Sequence, residues 1–461
     1  MHNGLNPSIR FVLFATGVTA IGGFLFGYDT AVINGANSYL KAYLHLNAAQ
    51  EGMAGASAIL GCLPGAMFAG FLSDRFGRRK LLFLCALLYA VSGLLSALPN
   101  TFGQFLTARI ISGLGIGASS MICPVYIAEI APERWRGRLG TLFQLGIVTG
   151  IFLTLFINKV IQAMGNDAWN TAQGWRWMLG MEVVPAVVFI ALLFAVPESP
   201  RWLAQKGRED EAREILTKVD GVEHATKELA AILEVAGQEN VRFAELFGGI
   251  YLRPLLLAGL LAVFQQFCGI NAIMYYSTKV FATAGGNTAS AFNSTAWVGL
   301  INLLFTCVAI GWVDRAGRRP LLLAGTATQA VALGLLGWMF HTGTKGLPLL
   351  LCVVLFIAAF AMAMGPITWL FLSEIFPNKV RGRAMSIGAL IIWISCYFVA
   401  QTFPMMNDSA AIGPAKTFWI YGAVSLLSFV FVLALIPETK GRTLEQIEKQ
   451  WSESAKPQNP V

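Results

Sequence analysis

Apolar runs of about 20 residues recur twelve times along this chain, each long enough for a helix to cross a hydrocarbon core of about 30 Å. They fall near 11–33, 52–72, 81–98, 105–128, 139–163, 177–196, 254–281, 295–313, 320–340, 347–372, 384–405 and 416–436. With 56% hydrophobic and only 13% charged residues among 461, the chain carries too little charge for a soluble domain. The pattern predicts an all-α membrane protein with twelve transmembrane helices. The first run is too long for a secretory signal and lacks a small-residue cleavage site, so it reads as the first helix.

Lysines and arginines set the orientation. Arg75, Arg78, Arg79 and Lys80 follow the second run; Arg134, Arg136 and Arg138 the fourth; Arg315, Arg318 and Arg319 the eighth; Lys379, Arg381 and Arg383 the tenth. The alternate loops hold single charges such as Lys41, Lys159, Lys279, Lys345 and Lys416. Both termini are therefore expected in the cytoplasm, and this bias accounts for the net charge of +8 without a nucleic-acid partner. The seven cysteines all fall in apolar segments, a scatter that suits packing and not a disulfide or metal framework. The four histidines do not cluster, and no zinc spacing, phosphate loop or nucleophile elbow occurs. No catalytic residue, metal or cofactor is expected.

The chain is written twice. GFLSDRFGRRKLL at 70–82 returns as GWVDRAGRRPLL at 311–322, YIAEIAPERWRGR at 126–138 as FLSEIFPNKVRGR at 371–383, and PESPR at 197–201 as PETKG at 437–441. Pairing Asp74 with Asp314, Glu129 with Glu374 and Glu198 with Glu438 gives offsets of 240, 245 and 240 residues. Two six-helix units in the same orientation follow, an arrangement in which a substrate site forms between halves. The expected organisation is an N-terminal bundle (1–200), a cytoplasmic amphipathic helical linker (201–250), a C-terminal bundle (251–440) and a cytoplasmic tail (441–461). In the linker, charges of alternating sign surround Ile215, Leu216, Leu229 and Leu233.

The repeated loop motifs have a physical reading. Gly70 would permit close backbone approach near a helix end, and Asp74 and the following arginines could pair with Glu129 at a neighbouring helix end. Charges that pair in one conformation and part in another form a switchable latch. The set of cytoplasmic gating charges is Asp74, Arg75, Arg79, Glu129, Arg136 and Glu198, with Asp314, Arg315, Arg319, Glu374, Arg381 and Glu438 in the second copy. Topogenic charge alone explains the arginines but not the repeated acids.

Gln265, Gln266, Asn271 and Tyr275 share one apolar run, where unpaired amides are costly. Amides and hydroxyls placed there can bind a polar ligand. On an unbroken helix these four would spread over roughly 220° of circumference at 100° per residue. Gly269 lies among them, so local unwinding is expected there. Interhelical hydrogen bonding is the alternative use of such amides.

GFLSDRFGRR, PESPRWL, QQFCGINAIMYYS, RGRLGTLFQLGIVTG and GPITWLFLSEIFP resemble the sugar porters of the major facilitator superfamily, over residues 11 to 445. The resemblance implies the major facilitator fold and a sugar site that also includes Phe26, Gln144, Asn302, Gly365, Trp369 and Trp393. Both tryptophans fall inside their spans, although interfacial anchoring is their other common use. Ile392 and Cys396 depart from the family, which often carries amides there, while Ile147 and Ile151 are similar to the glucose facilitators. Asp29 follows FGY, where proton-coupled members tend to have Asp and passive ones Asn. The resemblance makes Arg109 its partner and Glu182 a third intramembrane charge, and Gly113 and Gly117 would let the Arg109 helix approach closely. The implied protein is a proton-coupled monosaccharide symporter, with a hexose expected, working by alternating access as a monomer in a bacterial inner membrane. Its partners would be sugar, protons and the bilayer. A passive uniporter is the alternative within this class, and a non-transporting membrane sugar sensor the alternative outside it. The tail after Glu438 is short for a sensor.

Overall fold

The computed structural model describes residues 7–235, 246–285, 287–376 and 378–440. The expected tail and linker residues 236–245 lie outside the described residues, as do the side chains of Asp314 and Arg381. All regular structure among the described residues is helical. Five long helices come first: α1 (Pro7–Leu44), α2 (Ala48–Phe76), α3 (Arg78–Ala97), α4 (Phe102–Ile130) and α5 (Glu133–Ala163). The sixth crossing is assembled from α6 (Asp167–Trp169), a π turn (Asn170–Gly174), α7 (Trp175–Gly180) and α8 (Val183–Leu193). Three short helices follow, α9 (Pro200–Gln205), α10 (Glu209–Asp220) and α11 (Val222–Val235). The second half contains α12 (Leu252–Phe267), α13 (Ile270–Thr283), α14 (Thr288–Ala316), α15 (Arg318–Thr342), α16 (Leu347–Met362), α17 (Met364–Glu374), α18 (Asn378–Asn407) and α19 (Gly413–Leu435). Among the described residues, twelve stretches are long and apolar enough to cross a bilayer. The large side chains left exposed along them, such as Leu94, Phe194, Trp338 and Leu427, are apolar, as a lipid-facing surface requires.

Several expected bounds move. The first connection is not a loop over 34–51: α1 runs to Leu44 and α2 begins at Ala48. The sixth crossing starts at Asp167, ten residues before the expected 177. Gly269 does break the seventh crossing, in the left-handed region at φ 87° that an L-residue avoids. The tenth crossing is also broken, at Ala363, which the hydropathy of 347–372 does not reveal. Of the cysteines, six are buried and Cys307 is exposed.

The chain divides into two compact units. Unit 1 holds the described chain up to Tyr39, Ser57–Ile161, and residues from Gly165 through α11; unit 2 holds Leu40–Ala56, Gln162–Met164 and the described chain from Leu246 onward. In unit 1 glycines set the helix spacing. A Cβ on Gly27 would overlap the Ile147 carbonyl, and one on Gly150 the Phe24 carbonyl, so α1 and α5 touch backbone to backbone. Gly113 and Gly117 of α4 pack in the same way on Ala58 and Cys62 of α2, the close approach expected for the Arg109 helix. Gly70, in contrast, faces open space. Helices α9 to α11 gather around Trp202, Leu203, Leu216, Leu229 and Ile232, with Ile215 against them; Leu233 points away and is exposed. In unit 2 the core is built from Leu261, Ile367, Phe371, Phe376, Val380 and their neighbours.

Candidate functional site

Three charges meet inside unit 1. Asp29 on α1 is 0% exposed, Arg109 on α4 2% and Glu182 1%. Arg109 Nη1 donates to Asp29 Oδ1, and Nη2 donates to the Asp29 backbone carbonyl at 3.2 Å. The Glu182 carboxyl lies within electrostatic reach of both Asp29 and Arg109. Asp29 Oδ2 and Glu182 Oε1 are buried without a hydrogen-bond partner. One proton brings two carboxyls and one guanidinium to neutrality, the condition under which so buried a cluster is tolerable.

Glu182 is placed by a flaw in the sixth crossing. Its N–H reaches the Leu179 carbonyl at 3.3 Å, one residue short of α-helical register. The Met178 carbonyl that this N–H would normally bond instead accepts from Tyr28 Oη, at 3.3 Å. On the other side Gly93 of α3 leaves room, because a Cβ there would sit 3.3 Å from Glu182 Cβ.

In unit 2 the amides form a ladder. Gln265 Nε2 donates to the carbonyls of Met364 (2.9 Å) and Gly365 (3.3 Å), just beyond the break at Ala363. Gln266 Nε2 donates to Gln265 Oε1 at 3.3 Å, and Asn271 Nδ2 donates to Gln266 Oε1. Asn271 Nδ2 also lies 3.0 Å from Cys396 Sγ, with Tyr275 Oη 3.8 Å from the same sulfur. The turn at Gly269 makes this possible by bringing residues five apart to one face. The ladder leaves the Asn271 carbonyl oxygen and the second N–H of Gln266 uncommitted, one acceptor and one donor. Trp393 is buried on α18, and Trp369 is half-buried against the Phe371 core. Asn302 is buried on α14 but has no hydrogen bond to the ladder. Phe26 and Gln144 are half-buried in unit 1, on α1 and α5.

The gating charges form one wiring diagram, drawn twice. In unit 1, Arg78 grips Glu129 through two bonds of 2.9 Å and also reaches Asp74 at 3.0 Å. Glu198 accepts from the backbone N–H groups of Arg78 (2.9 Å) and Arg79 (3.1 Å), capping the start of α3, and Ser199 Oγ donates to Glu129. In unit 2, Arg318 holds Glu374 at 2.8 and 3.2 Å, Glu438 accepts from the N–H groups of Arg318 and Arg319 at 3.1 Å, and Thr439 donates to Glu374. Gly77 and Gly317, at φ 101° and 92°, make the same turn before each arginine. Burial pushes the Glu438 carboxyl up, but backbone N–H bonds from Lys440, Arg318, Arg319 and Thr439 outweigh it and hold the group below its ordinary 4.5.

Arg78 and Arg318, absent from the expected set of gating charges, hold the central pairs. Arg75 instead lies over the Phe76 ring, and Arg315 lends its backbone carbonyl to Lys440 Nζ at 2.7 Å. Arg79 and Arg319 cap the carbonyls at the ends of α8 and α19, through Phe194 and Leu433, each at 2.8 Å. Arg136 sits half-buried in the first turns of α5. The signal was available: Gly77 and Gly317 are each followed by the arginine whose side chain is drawn inward, at an offset of 240 residues.

Residues 15–451 match the family model described as "Sugar (and other) transporter". The chain is 42% identical to the arabinose-proton symporter of Bacillus subtilis, covering 96% of each chain. It is 39% identical to the glucose transport protein of Synechocystis sp., over 95% of this chain and 97% of that one. Among solved structures, the xylose transporter XylE from E. coli in a partially occluded inward open conformation matches with a TM-score of 0.85 at 36% identity, over 94% of this chain and 100% of the other. Twelve membrane-length helices, twofold wiring and this superposition define a multi-pass membrane carrier of the major facilitator fold. The chain belongs to the sugar porter family of that superfamily.

Proposed function

We propose that this protein is a proton-coupled monosaccharide symporter working by alternating access as a monomer in a bacterial inner membrane, with the arginine-rich helix ends and both termini in the cytoplasm. The observation that carries it is the buried cluster of Asp29, Arg109 and Glu182. A uniporter has no use for a titratable pair at membrane depth, where ionisable groups are costly. In a symporter Arg109 stabilises the carboxylate when the two meet, and their separation in a dry site favours protonation. The amide ladder with Trp369 and Trp393, together with Phe26, Gln144 and Asn302, supplies the sugar side. The names of the relatives support a sugar of arabinose to glucose size. A hexose fits Ile147 and Ile151. A pentose is favoured by Ile392 and Cys396, since an apolar chain and a thiol beside Asn271 offer fewer hydrogen bonds for a further hydroxymethyl group.

Proteoliposomes loaded with labelled L-arabinose, D-xylose, D-glucose or maltose test both parts. The parent should concentrate a monosaccharide when a proton gradient is imposed, and maltose should not follow. Asp29→Asn should lose gradient-driven accumulation and keep counterflow, which needs no net proton movement. Accumulation by Asp29→Asn equal to the parent refutes coupling through this site.

A further inference from the structure

Four charges of alternating sign close a ring at the helix ends opposite the arginine clusters. Glu51, at the start of α2, is bonded by Lys41 at 2.6 Å and by Lys279 of α13 at 2.9 Å through each carboxylate oxygen. Asp408, just after α18, accepts from the same two lysines at 3.2 and 2.9 Å and from Asn407 at 3.0 Å. The Glu51 side chain is 1% exposed and the Asp408 side chain 29%, so the ring is sealed at one edge and wet at the other. Beneath it the first turns of α2 lie against α13 and α18 with no room to spare. Gln401 Nε2 donates to the Ala49 carbonyl at 2.9 Å, and Tyr397 Oη is 3.8 Å from Met53 Sδ. A Cβ added to Gly52 would overlap the Gln401 carbonyl, and a Cβ on Gly55 the Tyr276 hydroxyl.

This ring and its seam belong wholly to unit 2, yet Lys41 and Glu51 are carried on Leu40–Ala56, a segment whose chain on both sides belongs to unit 1. We propose that the Lys41–Glu51–Lys279–Asp408 ring is an outer clasp that must open and re-form in each transport cycle. The inference rests on the transport reading for the existence of a cycle. A seam meant to stay shut is held at least as well by apolar side chains, since burying ions costs more desolvation than well-packed carbon. Charges with an edge open to water suit reversible contact, because each can be rehydrated when the ring parts. Asp74, Glu129 and their arginines cannot do this work at the outer end, for they lie at the opposite ends of their helices. The ring is also neutral, so its closure leaves no net charge buried.

The test reads opening directly and needs no sugar movement, so it can fail or succeed independently of the transport reading. In the full-length protein with the exposed Cys307 replaced by Ser, Met53→Cys places one thiol in the seam. Its labelling by a membrane-impermeant maleimide, above the rate of Cys307→Ser alone, reports opening. Adding Glu51→Gln leaves two lysines facing one acid and should speed labelling on the order of tenfold, the ratio that one charge-assisted hydrogen bond commands. Asp408→Asn, at the wet edge, should act in the same direction and guards against a Glu51 variant that fails to fold. Labelling at the parent rate in a folded Glu51→Gln variant, or in Asp408→Asn should the former not fold, overturns the clasp.

Discussion

Removing Arg78 should destabilise the protein more than removing its counterpart Arg318, and the structure says by how much. Arg78 is 7% exposed and Glu129 11%, joined by two bonds of 2.9 Å; Arg318 is 10% exposed and Glu374 23%, with bonds of 2.8 and 3.2 Å. Breaking a buried pair by deleting one partner costs about 3–5 kcal/mol, and the Ser199 bond that Glu129 retains puts Arg78→Met near the lower end. The Asp74 arm adds at most about 1 kcal/mol, because Asp74 is 71% exposed and screened by water. A double-mutant cycle with Glu129→Gln should return a coupling of about 2 kcal/mol, against about 1 kcal/mol for Arg318→Met with Glu374→Gln. The assay is the apparent Tm of purified protein in detergent at one scan rate, where a chain of this size moves about 2 °C or less per kcal/mol. Equal couplings in the two units, or strictly additive losses at Arg78 and Glu129, would refute the argument from burial and geometry.

Gln265→Ala and Asn271→Ala should each weaken sugar affinity about tenfold or more, through one unpaired group worth about 1–3 kcal/mol, while the protein still inserts; unchanged counterflow affinity in both rejects the ladder as the sugar site. Gly27→Ala forces a methyl against the Ile147 carbonyl, which backbone cannot yield, and should cost about 1–3 kcal/mol and abolish proton-driven accumulation by displacing Asp29. Gly70→Ala, in open space, should stay within about 0.5 kcal/mol, and equal Tm losses in the two glycine variants defeat this reasoning. Because the Glu438 carboxyl is held below its ordinary 4.5, its stabilisation is complete above that pH and lost as pH falls through the folded value. The parent Tm should therefore drop more steeply below about pH 4.5 than that of Glu438→Gln, and parallel profiles count against it.

Hydropathy read the number of crossings but not the lengths of the helices. It measures the apolar thickness a helix offers to lipid, so α1 was expected to end at 33, where Asn34 and Asn37 begin to dilute the run. The helix continues to Leu44 because both asparagines are buried against protein and never meet lipid. The break at Gly269 was legible, since only glycine enters that backbone region without strain. The break at Ala363 was overlooked although Pro366 marks it, since a proline has no N–H for the Met362 carbonyl four residues back and its ring crowds that carbonyl. Glu182 was named through the family resemblance, but the slipped register at its N–H leaves no trace in residue types. Pairing at the loops was expected of the arginines after Asp74 as a group, because charge counts treat neighbouring arginines as equals; only the turn at Gly77 singles out Arg78.

The two copies diverge most where the chemistry differs. FGYD and CGIN align at an offset of 242 residues, which sets Gly27 against Gly269 and Asp29 against Asn271. In the first copy the glycine stays helical and is spent on contact with α5, keeping α1 continuous so that Asp29 stands opposite Arg109. In the second the glycine turns the chain, and Asn271 swings into a row of neutral amides. A buried carboxylate must have its counter-charge fixed nearby and cannot tolerate a partner that leaves without a proton arriving. Amides face no such constraint: they bond one another in the ladder and can exchange those bonds for hydroxyls at little electrostatic cost. On the proposed function, the duplication thus gave one position two uses that a single copy could not combine, a charge that answers to protons and an amide that answers to sugar. The wiring of Arg78 and Arg318, under no such pressure, stayed the same in both.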